Sequence, residues 1–219
     1  MTCKLCVENA PREKDKSGTL WVHPQAIGTS GWVCGYQEET NRQGDWVQTW
    51  TGRQFWALDP RPEDFHILDI AAGMRNPRYS NQCILTETVG EHAVLMYLEA
   101  RRRGFSARDR RTTLMHDGSE YILVDICRPI KRDMPDYTAI EGRIMHAMAA
   151  RYDFDWPIPP HVKELDNRIL NDEMAQNMGP PPAVWRQLAD GPLNVTVRNW
   201  SPEVAMIRFL HACAIEGLV

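Results

Sequence analysis

The stretch TLMHDGSEYILVDICRPIKR, Thr113–Arg132, decides how the chain is read. It sets His116, Asp117, Glu120 and Asp125 among Leu114, Met115, Ile122 and Leu123. Apolar residues at this density mark a buried, helix-like segment, and a buried charge without a partner is costly. A divalent cation is one group that neutralises such charges. On a helix His116 and Glu120 stand four residues apart and Asp117 and Glu120 three apart, so the three share a face. His92 would come from the preceding helix. Asp166, between Leu165 and Ile169, would come from a later one. Two imidazoles and two carboxylates on separate helices suit a transition-metal ion that keeps positions open for water and substrate. Taken singly, each also has an ordinary role: His116 as a hydrogen-bonded core histidine, Asp117 as a local backbone partner, Asp166 as a surface residue.

Working outward, helix signals dominate from Phe65 onward. Thr88 and Glu91 fit a capping box that puts His92 in the first turn of a helix running through AVLMYLEARRR. Ser106 caps a helix expected to run on through RRTTLMHDGSEYILV. Residues 136–152 form a third helix, with Ile140, Ile144, Met148 and Tyr152 on one buried face. A fourth covers roughly 160–177, and Ser201-Pro202-Glu203 opens the last. Before these, residues 45–60 carry aromatic and β-branched residues on both sides of Gly52, as a short hairpin would. Its aromatics Trp50, Phe55 and Trp56 are expected in core packing, with stacking on a base as the alternative. The expected fold is mainly α, divided into an N-terminal module (1–36), a connector with hairpin (37–64) and a helical domain (65–219).

At 219 residues the chain can bury one sizeable core. No apolar run reaches the roughly 18 residues of a membrane span. The opening MTCKLCVENAPREKDK lacks the apolar core of a secretory signal, so a cytoplasmic location with reduced cysteines is expected. A net charge of −4 gives no general attraction to nucleic acid, and the basic run 101–111, RRRGFSARDRR, reads as solvated helix ends.

Cys3, Cys6, His23 and Cys34 have the spacing of a closed Cys3His zinc site, which would hold together a segment poor in aliphatic residues. A redox CxxC and a tail with incidental cysteines are the other readings. Cys83, Cys127 and Cys213 are expected to be ordinary buried thiols.

The ordered set EHAV, HDGSE with Asp125 eight residues after Asp117, RPIKR and ELD resembles the HD-domain phosphohydrolase superfamily. The likeness spans about residues 46–175. Within that superfamily the chain is most similar to the bacterial and phage branch that contains the 5′-deoxynucleotidases, phage dATP triphosphohydrolases among them. The resemblance implies an HD-type helical bundle and makes His92, His116, Asp117 and Asp166 the ligands of one catalytic divalent metal (Mn, Co, Zn, Fe, Ni or Mg). Glu120 and Asp125 become the carboxylates that position or activate water. Arg78, before the aromatic Tyr79, and Lys131 become the phosphate contacts. The substrate implied is a deoxynucleotide, as monophosphate or triphosphate, handled by a cytoplasmic homo-oligomer, dimer or hexamer, in the host cytoplasm if the chain is phage-encoded. The contrasting expectation is an inactive helical module with a zinc ribbon that binds nucleic acid or a protein partner.

Overall fold

The structure is a computed structural model that describes residues 42–185 and 191–219. Cys3, Cys6, His23 and Cys34, and with them the expected zinc module, lie outside the described residues. Among those described, the chain is mainly helical, with one small antiparallel sheet. That sheet is the expected hairpin: β1 (Val47–Gln48) pairs with β2 (Gln54–Phe55), Val47 opposite Phe55, around Gly52 at φ 81°. Phe55 is fully buried and meets Phe65 and Tyr121 edge-on, at 5.4 and 5.7 Å, which anchors the hairpin to the helical body.

Helix α1 (Ile67–Gly73) leads by way of Arg78 to α2 (Val89–Arg102), the centre of the fold. Every residue of α2 from Val89 through Tyr97 is buried. A helix enclosed on all sides must be apolar nearly all round, and Val89, Ala93, Val94, Leu95, Met96 and Tyr97 meet that demand. Its N-cap is Thr88, whose hydroxyl accepts from Glu91 N–H at 3.1 Å. The expected reciprocal half of the capping box does not form. The Glu91 carboxylate instead accepts from the backbone N–H groups of Arg198 and Trp200, at 2.6 and 2.7 Å, and so ties the extended segment before the last helix to α2.

The helix expected to run from Ser106 through Val124 is broken. Helix α3 (Ala107–Met115) ends before His116, and α4 (Glu120–Leu123) restarts after a tight turn. Within that turn the bonds shorten to i→i−3, from Gly118 N–H to Met115 O at 2.8 Å and from Glu120 N–H to Asp117 O at 3.0 Å. A Cβ at Gly118 would lie 2.8 Å from the Met115 carbonyl oxygen, which is backbone, and 2.5 Å from Met148 Sδ. Short α5 (Arg128–Lys131) and long α6 (Pro135–Tyr152) follow, with Ile144, Met148 and Tyr152 buried as expected and Ile140 partly so. Helices α7 (Pro160–Asn177) and α8 (Pro202–Ile215) complete the bundle, α3 and α8 packing directly on α2.

The basic run 101–111 is largely neutralised in place: Arg102 and Arg103 pair with Glu99, Arg108 and Arg111 with Asp153, and Arg110 with Glu216. Cys213 is buried, but Cys83 and Cys127 are only half-buried, which corrects the expectation for those two. No helix among the described residues is long and apolar enough to cross a membrane.

Helices α1 and α4 approach closely because Gly73 has no side chain: a Cβ there would sit 2.2 Å from the Tyr121 carbonyl oxygen and 2.5 Å from its Cα. Backbone cannot swing aside as a side-chain tip can, so Gly73→Ala is expected to destabilise by about 1–3 kcal/mol through overpacking. A melting midpoint lowered by roughly 2–12 °C would express that cost, and an unchanged midpoint would contradict it.

Candidate metal centre

Helix α2 carries His92, the tight turn carries His116 and Asp117, and α7 carries Asp166. Their donor atoms converge. His92 Nε2 lies 3.1 Å from His116 Nε2, and 3.6 Å from both Asp117 Oδ2 and Asp166 Oδ1. His116 Nε2 lies 3.2 Å from Asp117 Oδ2 and 3.8 Å from Asp166 Oδ1. Two ligands bound at about 2.1 Å stand about 3.0 Å apart at a right angle and about 3.4 Å apart at the tetrahedral angle. The observed spacings bracket these values.

The proton positions sharpen the point. His116 Nδ1 donates to the Thr113 carbonyl at 2.8 Å, and a carbonyl can only accept. His92 Nδ1 faces Glu173 Oε1 at 2.5 Å. With protons on both Nδ1 atoms, neutral rings present bare Nε2 lone pairs to each other and to two carboxylates. Four lone-pair donors facing one point require a positive charge there, and these residues can hold a metal ion. The same demand shows in His92: burial and Arg78 disfavour charge on it, yet Glu173 and Asp166 hold its pKa up at about 9. Burial likewise opposes charge on Asp117 and Asp166, but the two histidines keep both carboxyls well below their ordinary range.

Each carboxylate donor has its own cation outside the cluster. Arg78 NH1 donates to Asp117 Oδ2 at 3.2 Å, while Arg128 (3.0 Å) and Lys163 hold Asp166 Oδ2. Glu120 is buried, with Oε2 lacking a partner among the described residues, and burial first, then Asp117 and Asp125, pushes its carboxyl well above the usual value. Asp125 accepts from Tyr79 N–H at 2.5 Å. Lys131 turns elsewhere, its Nζ 2.5 Å from Glu141 Oε1. The structure therefore brings together His92, His116, Asp117, Asp166, Arg78 and Glu120, with Asp125 at the side and Lys131 paired outside the donor cluster.

Sequence reasoning missed the layer behind His92. Glu173 is wholly buried and takes His92 Nδ1–H, the Tyr79 hydroxyl and, at 3.6 Å, the Arg78 guanidinium. Burial works against its charge, yet Arg78 and His92 lower its pKa to about 2. Glu87 stands next to it, bonded by Asn177 Nδ2 at 2.7 Å. The signal was present: Asp166, Glu173 and Asn177 follow one face of α7 at spacings of seven and four, alongside Val162, Leu165 and Ile169. Polar residues on an otherwise apolar stripe point inward.

The segment joining these parts is bent against its preference. Tyr79, Ser80 and Asn81 all have left-handed backbone, at φ 54°, 50° and 60°, and Val124 sits at φ 59°, ψ 161°, a region that suits only glycine. Asp125, next to Val124, holds the Tyr79 N–H, so the two strained segments are fastened to each other.

No family model matches the chain. It is 32% identical over 124 residues to an uncharacterized protein of Rhodobacter capsulatus, covering 54% of this chain and 63% of that one. It is 30% identical over 129 residues to the uncharacterized protein YfdR of Escherichia coli, covering 58% of this chain and 69% of that one. The chain thus spans just under two thirds of the Rhodobacter relative's length, and it belongs to one family with YfdR.

Glu87 supplies a pH test of this layer. Burial, then the neighbouring Glu173 carboxylate, raise its pKa from 4.5 to about 9. The unfolded chain releases this proton near 4.5, while the folded chain keeps it until about 9. Between those values the folded state binds more protons, so this group costs stability as pH rises through the window. Glu87→Gln, which imitates the protonated carboxyl, is expected to gain on the wild type steadily from pH 5 to pH 8.5. Parallel melting curves across that range would refute the assignment.

Proposed function

We propose that the chain is a metal-dependent phosphohydrolase of the HD-domain type that cleaves the 5′-phosphate ester of deoxynucleotides. One observation carries this reading: four donor atoms, two imidazole nitrogens and two carboxylate oxygens, converge beside an arginine and at the edge of a cavity. A divalent ion held there supplies a Lewis acid for a phosphoryl oxygen and lowers the pKa of water. His92, His116, Asp117 and Asp166 would hold it. Arg78, already beside Asp117, is placed to neutralise charge growing on a phosphate, its planar fork matching two oxygens. Glu120, buried with one oxygen unpartnered among the described residues, is placed to take a proton from water. In the same reading Cys3, Cys6, His23 and Cys34 hold a second, structural zinc.

The test is release of phosphate, pyrophosphate or triphosphate from a panel of deoxynucleotides with Mn²⁺, Co²⁺ or Mg²⁺. Asp117→Ala is expected to abolish turnover and lose the exchangeable metal. Glu120→Ala should cut kcat by roughly 10²–10⁴ while keeping most of that metal. Full activity in Asp117→Ala with metal in excess would exclude the site. Elemental analysis separates the two metals: Cys34→Ser should lose one zinc and His116→Ala the other ion.

A further inference from the structure

A cavity of about 530 Å³ opens beside the donor cluster. Arg78 and Arg128, which hold Asp117 and Asp166, also line it, so the cavity begins where the metal donors end. Next to Arg78 the wall turns aromatic, the guanidinium lying 5.1 Å from the centre of the Tyr79 ring. Tyr79 and Trp185 stand with ring centres 6.2 Å apart and planes tilted by 58°, over Leu170 and Met178. The Tyr79 ring is fixed at both ends, its hydroxyl on Glu173 and its backbone N–H on Asp125. Trp185 is half-buried. Arg132 lines the same cavity, as does the Asp125 carboxylate. Ligand pockets of roughly 300–1,000 Å³ combine apolar walls with a few fixed polar groups, and this one sets three arginines and the Asp125 carboxylate beside an aromatic pair.

Arginines at the donor cluster, with Trp185 one ring further out past Tyr79, match a ligand that joins a phosphate to a flat ring. Neither Phe55 nor Trp56 serves it, since both are buried in the body of the fold. We propose that Trp185, seated against Tyr79, is the surface on which the base of the substrate stacks, and that it sets the preference for nucleotides over phosphates without a ring. This rests on the phosphohydrolase reading above and adds to it the residue that recognises the base. Stacking tolerates any base, since all present a π face, so Trp185 selects for a ring rather than for one base.

The test compares wild type, Trp185→Ala and Trp185→Phe on ring-bearing and ring-less pairs. The pairs are deoxyadenosine 5′-monophosphate with deoxyribose 5-phosphate, and deoxyadenosine triphosphate with tripolyphosphate. Trp185→Ala is expected to raise KM for the nucleotide by roughly ten- to a hundred-fold more than for its ring-less partner, with Trp185→Phe recovering most of the loss. Equal effects on both members of a pair, or no effect, would overturn the proposal. Binding of deoxyadenosine 5′-monophosphate to the same three proteins, by calorimetry with Mn²⁺ present, gives a readout independent of turnover. Wild-type protein that hydrolyses nothing but binds the nucleotide through Trp185 would remove the phosphohydrolase reading and keep the stacking surface. Binding that Trp185→Ala leaves unchanged, or no binding at all, would remove the stacking surface.

Discussion

Two imidazole nitrogens that meet at 3.1 Å, and two carboxylates aimed at the same point, are held together by a positive charge among them. Much of the fold serves to hold that arrangement. His92 reaches the centre because α2 is enclosed on every side, which places a polar ring deeper than an amphipathic surface helix could. His116 and Asp117 are neighbours in sequence and would diverge by about 100° on a regular helix. The tightened turn at Gly118 lets both reach the same place, and Gly118 is what allows the turn to lie against Met148. Asp166 arrives on α7 with two cations behind it.

Behind the donors lies a chain of groups in which every charge has a counterpart. Arg78 lies between Asp117 and Glu173, and Glu173 joins His92 to Tyr79 and stands beside Glu87, whose pKa it raises. Buried networks of this kind are costly when incomplete and restrict geometry when complete. The imidazole of His92 is fixed in tautomer and in direction by a carboxylate that is itself tied to the cavity wall, so binding in the cavity and at the donor cluster can bear on each other through Tyr79.

The sequence told most about helices and least about turns. Thr88, Ser106 and Ser201 each cap the helix expected of them, because capping is a local event that neighbouring residues settle. The break at His116–Ser119 was hidden, since TLMHDGSEYILV keeps helical periodicity across it and only packing against Met148 shows why Gly118 matters. Glu91 matched the capping box by spacing, but the box gave way to backbone N–H groups of residues 198 and 200, a contact between segments that local pattern cannot disclose. Among site residues, His92, His116, Asp117 and Asp166 were legible as a set of metal-binding types. Glu173, Glu87 and Trp185 were not singled out: two are acids in a helix-rich sequence, and the third follows a run of prolines whose path no periodicity predicts. Lys131 sits near the site in sequence, yet Glu141, one side chain away in space, takes its charge.

The left-handed backbone at Tyr79–Asn81 and the glycine-like angles of Val124 have a consequence for how this protein can change over generations. Conformations of this kind last only where the surroundings over-determine them, and here much of that determination passes through one bond between Asp125 and the Tyr79 amide. A lineage that altered Asp125 would lose one of the bonds that hold the Tyr79 backbone at the cavity mouth without touching a metal donor. Asp125 is not one of the four donors, so the mouth can be redrawn at that position, whereas Arg78, Arg128 and Tyr79 belong to mouth and centre alike.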